Sequence, residues 1–176
     1  MVPWRVATAV EARSVHQRHL EHTWWAEQQA WAHEAAPRER RERLAQIRVE
    51  RARLREQGVL LGSRDTVMAS ELEAELAERG WLHRRWRPVP AGSDEIPGRP
   101  WGRSNLPERG QVRLALKLPA PLVRTLRRGC YWSSRPAVAR VMAGDRSAAE
   151  AVVTTGDVLR AAAERAGQGY WPPERS

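Results

Sequence analysis

The sequence predicts a mainly α-helical protein with one short strand, on the basis of three observations. Residues 5–35 are rich in Ala, Glu, Gln and Arg and contain no Pro or Gly, as long helices require. Nine of the 23 residues from 88 to 110 are Pro or Gly, a composition typical of linkers. A basic stretch follows, in which a short alternating segment precedes helix-like sequence. We therefore expect an N-terminal helical region (1–87), a linker (88–110), a basic strand-helix-helix region (111–166) and a flexible tail (167–176).

Two helices are predicted in the first third of the chain. The first covers residues 5–35 and the second 38–57, with Pro37 between them because proline ends one helix or starts the next. Gly58 is a plausible stop for the second helix. The first helix carries an apolar stripe at spacings of four and seven residues, formed by Leu20, Trp24 and Trp31. We expect these helices to serve dimerisation or contact with a protein partner.

A third helix is predicted from a capping pattern. Ser70 and Glu73 stand three residues apart, as in a capping box, and the helix would run to Arg79 with Gly80 as its stop. Its inward face would consist of Met68, Leu72 and Leu76.

A basic, aromatic segment follows this helix and is predicted to be extended, as a strand. Aromatic rings between cationic side chains can stack unpaired bases, whereas Trp at alternating positions is also typical of half-buried packing. The residues of this secondary nucleic-acid candidate are Trp81, Arg84, Arg85, Trp86 and Arg87.

The net charge of +9 is unevenly distributed. Residues 111–176 hold 11 basic and 5 acidic side chains, and thus two-thirds of the excess. No acidic residue stands between Glu108 and Asp145. A solvated surface normally mixes charges of both signs, so a one-signed stretch that also contains core-forming residues indicates a negatively charged partner. Nucleic acid is the commonest such partner, and we expect DNA.

The basic region begins with a run that alternates over residues 111–118. Gln111, Arg113 and Lys117 would face outward, and the Val and Leu residues between them inward. Pro119 ends the strand and can start a helix near 120–129. Two further helices are expected near 136–143, capped by Ser133 or Ser134, and near 156–166, starting around Asp157.

This order of strand, helix, Ser-containing turn and helix resembles the ribbon-helix-helix family of bacterial DNA-binding proteins over residues 111–145. The resemblance implies a homodimer in which two chains pair their strands into a ribbon that lies in the major groove. It implies an accessory role in transcription, or in replication or transfer of a mobile element such as a plasmid. Base contacts would come from Gln111, Arg113 and Lys117, and phosphate contacts from Ser133, Ser134 and Arg135. Further basic candidates are Arg124, Arg127 and Arg128. The alternative is an ordinary amphipathic edge strand beside a basic helix.

Catalytic and metal-binding patterns do not emerge. Cys130 is the sole cysteine, which excludes an internal disulfide and is typical of a reducing cytoplasm. His16, His19 and His22 spread too widely around a helix to converge on a metal. We therefore expect a cytoplasmic protein that is not an enzyme, has no metal or cofactor and does not enter the membrane. The rival hypothesis is a structural protein that uses its Trp-rich half to bind a protein partner.

Overall fold

The computed structural model describes residues 2–90 and 111–171, and within them the protein is mainly helical, as predicted. The described residues leave out Met1, 91–110 and 172–176, so most of the expected linker and part of the expected tail fall outside them. In chain order the elements are β1 (Val2–Pro3), α1 (Trp4–His33), α2 (Pro37–Glu56), α3 (Arg64–Glu78), β2 (Gln111–Val112), α4 (Ala120–Met142), a 3₁₀ turn (Arg146–Ala151) and α5 (Thr155–Gly167).

Helices α1 and α2 form an antiparallel pair close to the predicted bounds. Pro37 occupies the first turn of α2, where its missing N–H costs nothing. Past the end of α2, Gly58 has a φ of +72°, a left-handed conformation that glycine adopts without strain. The pair is fastened by Glu21 of α1, whose buried carboxylate accepts hydrogen bonds from Arg51 and Arg55 of α2.

Helix α3 starts two turns earlier than its predicted capping box. The Ser63 hydroxyl accepts a hydrogen bond from the Thr66 backbone N–H, at 3.2 Å, and the Thr66 hydroxyl accepts one from Ser63 N–H, at 3.0 Å. The prediction of a cap at Ser70 is wrong, since Ser70 lies inside the helix. Sequence spacing alone cannot decide which of the two serines, Ser63 or Ser70, caps the helix, because both precede residues of the same helical stretch. The predicted inward face is confirmed, because Met68, Leu72 and Leu76 are fully buried.

The segment after α3 is irregular, so the prediction of a strand over Trp81–Arg87 is wrong. Trp81 and Leu82 donate their backbone N–H groups to the carbonyl of Leu76, at 2.7 and 3.2 Å. These bonds satisfy the end of α3 and turn the chain back on the helix. The backbone groups are thus used locally instead of in a sheet.

The predicted strand 111–118 is reduced to β2, and its partner is β1 of the same chain. Val112 pairs with Val2 and Gln111 with Pro3, antiparallel. Within the chain, β1 thus supplies the pairing for Gln111 and Val112 that the resemblance assigned to a second chain, and the ribbon of two chains stays a prediction. Beyond β2 the alternation persists without a ladder: Leu114, Leu116 and Leu118 pack half-buried against the core.

Helix α4 is continuous where two helices and a Ser-containing turn were predicted. Pro136 lies inside it and removes one backbone hydrogen bond, which costs about 3 kcal/mol in a helix interior. The same apolar face continues on both sides of the proline, and burial of that face outweighs the loss. The buried residues of this face are Leu126, Cys130, Ala137 and Val141, at spacings of four and seven.

One hydrophobic core contains residues from both predicted regions. Val10 of α1 and Leu72 of α3 belong to it, together with Leu126 of α4 and Val158 of α5. Helix α5 packs against both α1 and α3. The two predicted regions, 1–87 and 111–166, therefore share a core. Helix α4 packs against α3 of the first region and against α5 of its own region.

Candidate nucleic-acid interface

Helix α4 turns four arginines away from the core. At about 100° per residue, these positions fall within roughly 100° of arc, whose centre lies about 130° around the helix from that of the buried apolar face. Arg128 is half-buried and the other three are exposed. We call this surface the α4 basic face; its residues are Arg124, Arg127, Arg128 and Arg135.

The α4 basic face is not neutralised within the described part of the chain. No carboxylate of residues 2–90 or 111–171 lies within 4.0 Å of its four guanidinium groups. On α2, by contrast, Arg43 pairs with Glu39 at 2.7 Å, and Arg53 pairs with Glu50. Four like charges on one rigid face repel each other, so the surface is electrostatically suited to a polyanion.

Two predicted basic residues are exposed in the segment that precedes α4. Arg113 and Lys117 are exposed, as predicted, while the leucines that alternate with them point inward. Arg64 of α3 donates a hydrogen bond to the carbonyl of Ala115, at 3.0 Å, which holds the segment in place. The first two positions are reversed from the prediction: Val112 is 40% exposed and Gln111 is half-buried, because pairing with β1 sets their orientation.

The two serines that were predicted to hold a phosphate do not stand at the start of a helix. Ser133 and Ser134 lie inside α4, where the continuing helix uses the backbone N–H groups. Ser134 is buried, and its hydroxyl donates to the carbonyl of Val153 and accepts from the N–H of Val153, both at 2.9 Å. Its role is to hold the chain after the 3₁₀ turn against α4. Arg135 keeps its predicted place at the surface.

Trp81 of the secondary cluster is a packing residue. It is 6% exposed, and its ring lies so close to Gly129 of α4 that a Cβ there would stand 2.1 Å from Cε3 of the indole. Trp86 is half-buried, meets Trp81 edge-on, and donates its Nε1–H to the carbonyl of Trp81, at 3.2 Å. The guanidinium of Arg84 covers the Trp86 ring at 4.4 Å. Arg84, Arg85 and Arg87 are exposed.

Trp132 joins this cluster to α4. Its Nε1–H donates to the carbonyl of Arg87, at 2.9 Å. The guanidinium of Arg135 lies 5.2 Å above the ring, and the Tyr131 ring meets it edge-on at 5.1 Å. The two basic clusters predicted separately are therefore neighbours. The sequence analysis missed Trp132, which shares a face with Arg128 and Arg135 only when α4 is continuous.

Other candidate sites are weaker. Burial raises the pKa of the Cys130 thiol to about 12, so the thiol stays protonated and unreactive near neutral pH. Within residues 2–90 and 111–171, no group of three or more His, Cys, Asp or Glu residues is placed to hold a metal ion. None of the helices in these ranges is long and apolar enough to cross a membrane.

Comparison with protein-family profiles, with curated proteins and with solved structures finds no match. The candidate interface therefore rests on its own geometry and charge.

Proposed function

We propose that this protein binds DNA, mainly through its phosphates. The contact surface, which we call the basic interface, combines the α4 basic face with the exposed residues Arg113 and Lys117 and with the neighbouring segment Arg84, Arg85 and Arg87. The observation that carries the proposal is the α4 basic face: four guanidinium groups on one side of a helix, without a carboxylate partner among the described residues.

Phosphate binding suits this arrangement physically. From Arg124 to Arg135 the helix rises about 16 Å, which is comparable with five base-pair steps of roughly 3.4 Å. The apolar face of α4 is buried, so the arginines sit on a backbone that need not be ordered on binding. Release of counterions from DNA then supplies the main driving force.

The contacts now expected differ from those that the family resemblance implied. Since the strand pairs within the chain, we assign Arg113 and Lys117 to phosphates instead of base edges. Binding is then largely independent of DNA sequence. An accessory role in transcription, or in transfer of a mobile element, suits a protein of this kind.

A salt titration tests the proposal. Fluorescence anisotropy would measure affinity for a random-sequence duplex from about 50 to about 200 mM salt, and a plot of log affinity against log salt should have a slope of about −0.9 per phosphate contact. We expect a slope that corresponds to roughly four or more contacts. Affinity that does not respond to salt, or no binding at the lowest salt, would contradict the proposal.

A second candidate function is contact with a protein partner through the N-terminal helices. One side of α1 leaves Leu20 and Trp31 exposed by 40% and 42%, with Trp24 half-buried between them. A second copy of the chain is the simplest partner for such a stripe. Sedimentation equilibrium should then show a dimer that Leu20→Asp weakens. A monomer at all concentrations would exclude self-association by this route.

A further inference from the structure

Resting on the proposed function, we propose that the basic interface also contains two stacking positions for unpaired bases. The protein would then bind single-stranded segments more tightly than blunt duplex. The positions are two guanidinium–indole stacks, Arg135 on Trp132 and Arg84 on Trp86.

Both indoles are fixed in place by hydrogen bonds to backbone carbonyls. Trp132 donates to Arg87 at 2.9 Å, and Trp86 donates to Trp81 at 3.2 Å. Trp81 is in turn buried against Gly129 of α4. The two indoles therefore stand on one rigid unit, joined through adjacent residues 86 and 87, and they lose little rotamer entropy when a base binds.

The guanidinium planes determine what such stacks can bind. The Cζ atoms of Arg135 and Arg84 lie 5.2 and 4.4 Å from the centroids of the rings beneath them, and both residues are exposed, so each guanidinium group is accessible to solvent. Bases stack on arginine planes as they do on aromatic rings. A base in a duplex is already covered on both faces by its neighbours. An unpaired base is free to stack on the guanidinium group, as a third layer above the indole and the guanidinium.

The positive charges around the two stacks favour binding of a nucleotide, which carries a phosphate, over binding of an uncharged aromatic compound. Arg128 lies one helical turn before Trp132, and Arg85 and Arg87 flank Trp86. Each stacked base would thus have cationic groups beside it for its phosphate. This alternation of stacking surfaces and cations is the arrangement by which proteins hold single strands without reading their sequence.

The first experiment uses the full chain and distinguishes contacts with bases from contacts with phosphates. Anisotropy would compare a single-stranded oligonucleotide, an abasic strand of the same length and a blunt duplex. We expect the normal strand to bind about 10- to 100-fold more tightly than the abasic strand, the range for one or two stacked bases. Equal affinity for the two strands, with salt-dependent binding retained, overturns the stacking proposal and leaves the proposed function intact. If the protein binds none of the three ligands, both the stacking proposal and the proposed function are wrong.

A second experiment locates the effect without changing charge. The double variant Arg84→Lys/Arg135→Lys keeps both cations but removes both planes. We expect its preference for the normal over the abasic strand to fall at least about fivefold, while its affinity for the abasic strand itself changes less. Arg38→Lys/Arg41→Lys on α2 is the matched control and should keep the preference. A double variant that retains the wild-type preference would overturn the assignment. All four arginines are exposed, so folding is not at risk.

Discussion

The indole Nε1–H of Trp132 donates a hydrogen bond to the backbone carbonyl of Arg87, at 2.9 Å and 45 residues apart in the chain. This bond brings the segment after α3 alongside α4. Two basic clusters that look like separate candidates in the sequence thereby become one surface. Their arrangement depends on the packing beneath them, chiefly that of Trp81 on Gly129.

Gly129→Ala should destabilise the protein although alanine is the better helix former. Helix propensity alone favours alanine by about 1 kcal/mol. The added Cβ, however, would stand 2.1 Å from Cε3 of Trp81, a buried ring with little room to move. We expect the free energy of unfolding to fall by about 1–3 kcal/mol, measured by urea denaturation. In a Trp81→Leu background the same change should cost much less; a stabilising Gly129→Ala would show that the ring is not packed as described.

Ser134→Ala should cost about 1–3 kcal/mol, because it leaves the N–H and carbonyl of Val153 without their partner in a partly buried site. Ser133→Ala is the matched control: Ser133 is exposed on the same helix, and we expect a change within about 0.5 kcal/mol. Thermal denaturation of both variants provides the comparison. Similar melting temperatures would mean that the Ser134 hydroxyl bonds are not formed.

The sequence predicts most of the helices because their apolar periodicity and stop residues are local properties. Helix α1 follows from its composition without Pro or Gly, helix α2 from Pro37 and Gly58 at its ends, and the inward face of α3 at Met68, Leu72 and Leu76 from its periodicity. Gly58 and Gly80 mark helix ends and have positive φ, as their stop roles require.

What could not be predicted depends on contacts distant in sequence. A short alternating run specifies its two faces but not its partner, and so the pairing of Gln111 with Pro3 was not foreseen. Pro136 and two preceding serines are typical of a new helix, yet burial of the α4 face carries the helix through them. The role of Trp132 in the candidate interface depends on that continuity.

Acidification should weaken the α1–α2 pair through Glu21. Burial raises the pKa of Glu21, but hydrogen bonds from Arg51 and Arg55 outweigh it and hold the pKa below its usual range. The stabilisation is therefore present above the ordinary carboxyl pKa of about 4.3 and is lost as pH falls through the lower folded-state value. We expect Glu21→Gln to cost about 1–3 kcal/mol near neutral pH and less at about pH 3, where the carboxyl of the unfolded chain is largely protonated.

An exposed ion pair provides the control for this pH dependence. The hydrogen bond from Arg53 also lowers the pKa of Glu50, but that pair lies at the surface. Glu50→Gln should hardly change the melting temperature at either pH. If Glu50→Gln and Glu21→Gln behave alike, the Glu21 carboxylate does not fasten the two helices.

Arg113→Ala and Lys117→Ala should each lower DNA affinity without lowering the melting temperature, because both side chains are exposed. Each variant should reduce the salt slope by about one contact and weaken binding equally for different DNA sequences. Leu116→Ala, on the inward side of the same segment, should do the opposite and lower stability. Sequence-dependent losses at Arg113 would instead indicate base contacts.

The most direct test of DNA binding by the basic interface compares two triple variants with the same loss of charge. Arg124→Gln/Arg127→Gln/Arg135→Gln alters exposed arginines of the α4 basic face, and Arg38→Gln/Arg41→Gln/Arg48→Gln alters exposed arginines of α2. We expect the α4 variant to bind duplex DNA at least about tenfold more weakly, with a salt slope smaller by about three contacts, and the α2 variant to stay close to wild type. Equal losses in both variants, or an α4 variant that binds like wild type, would contradict the account.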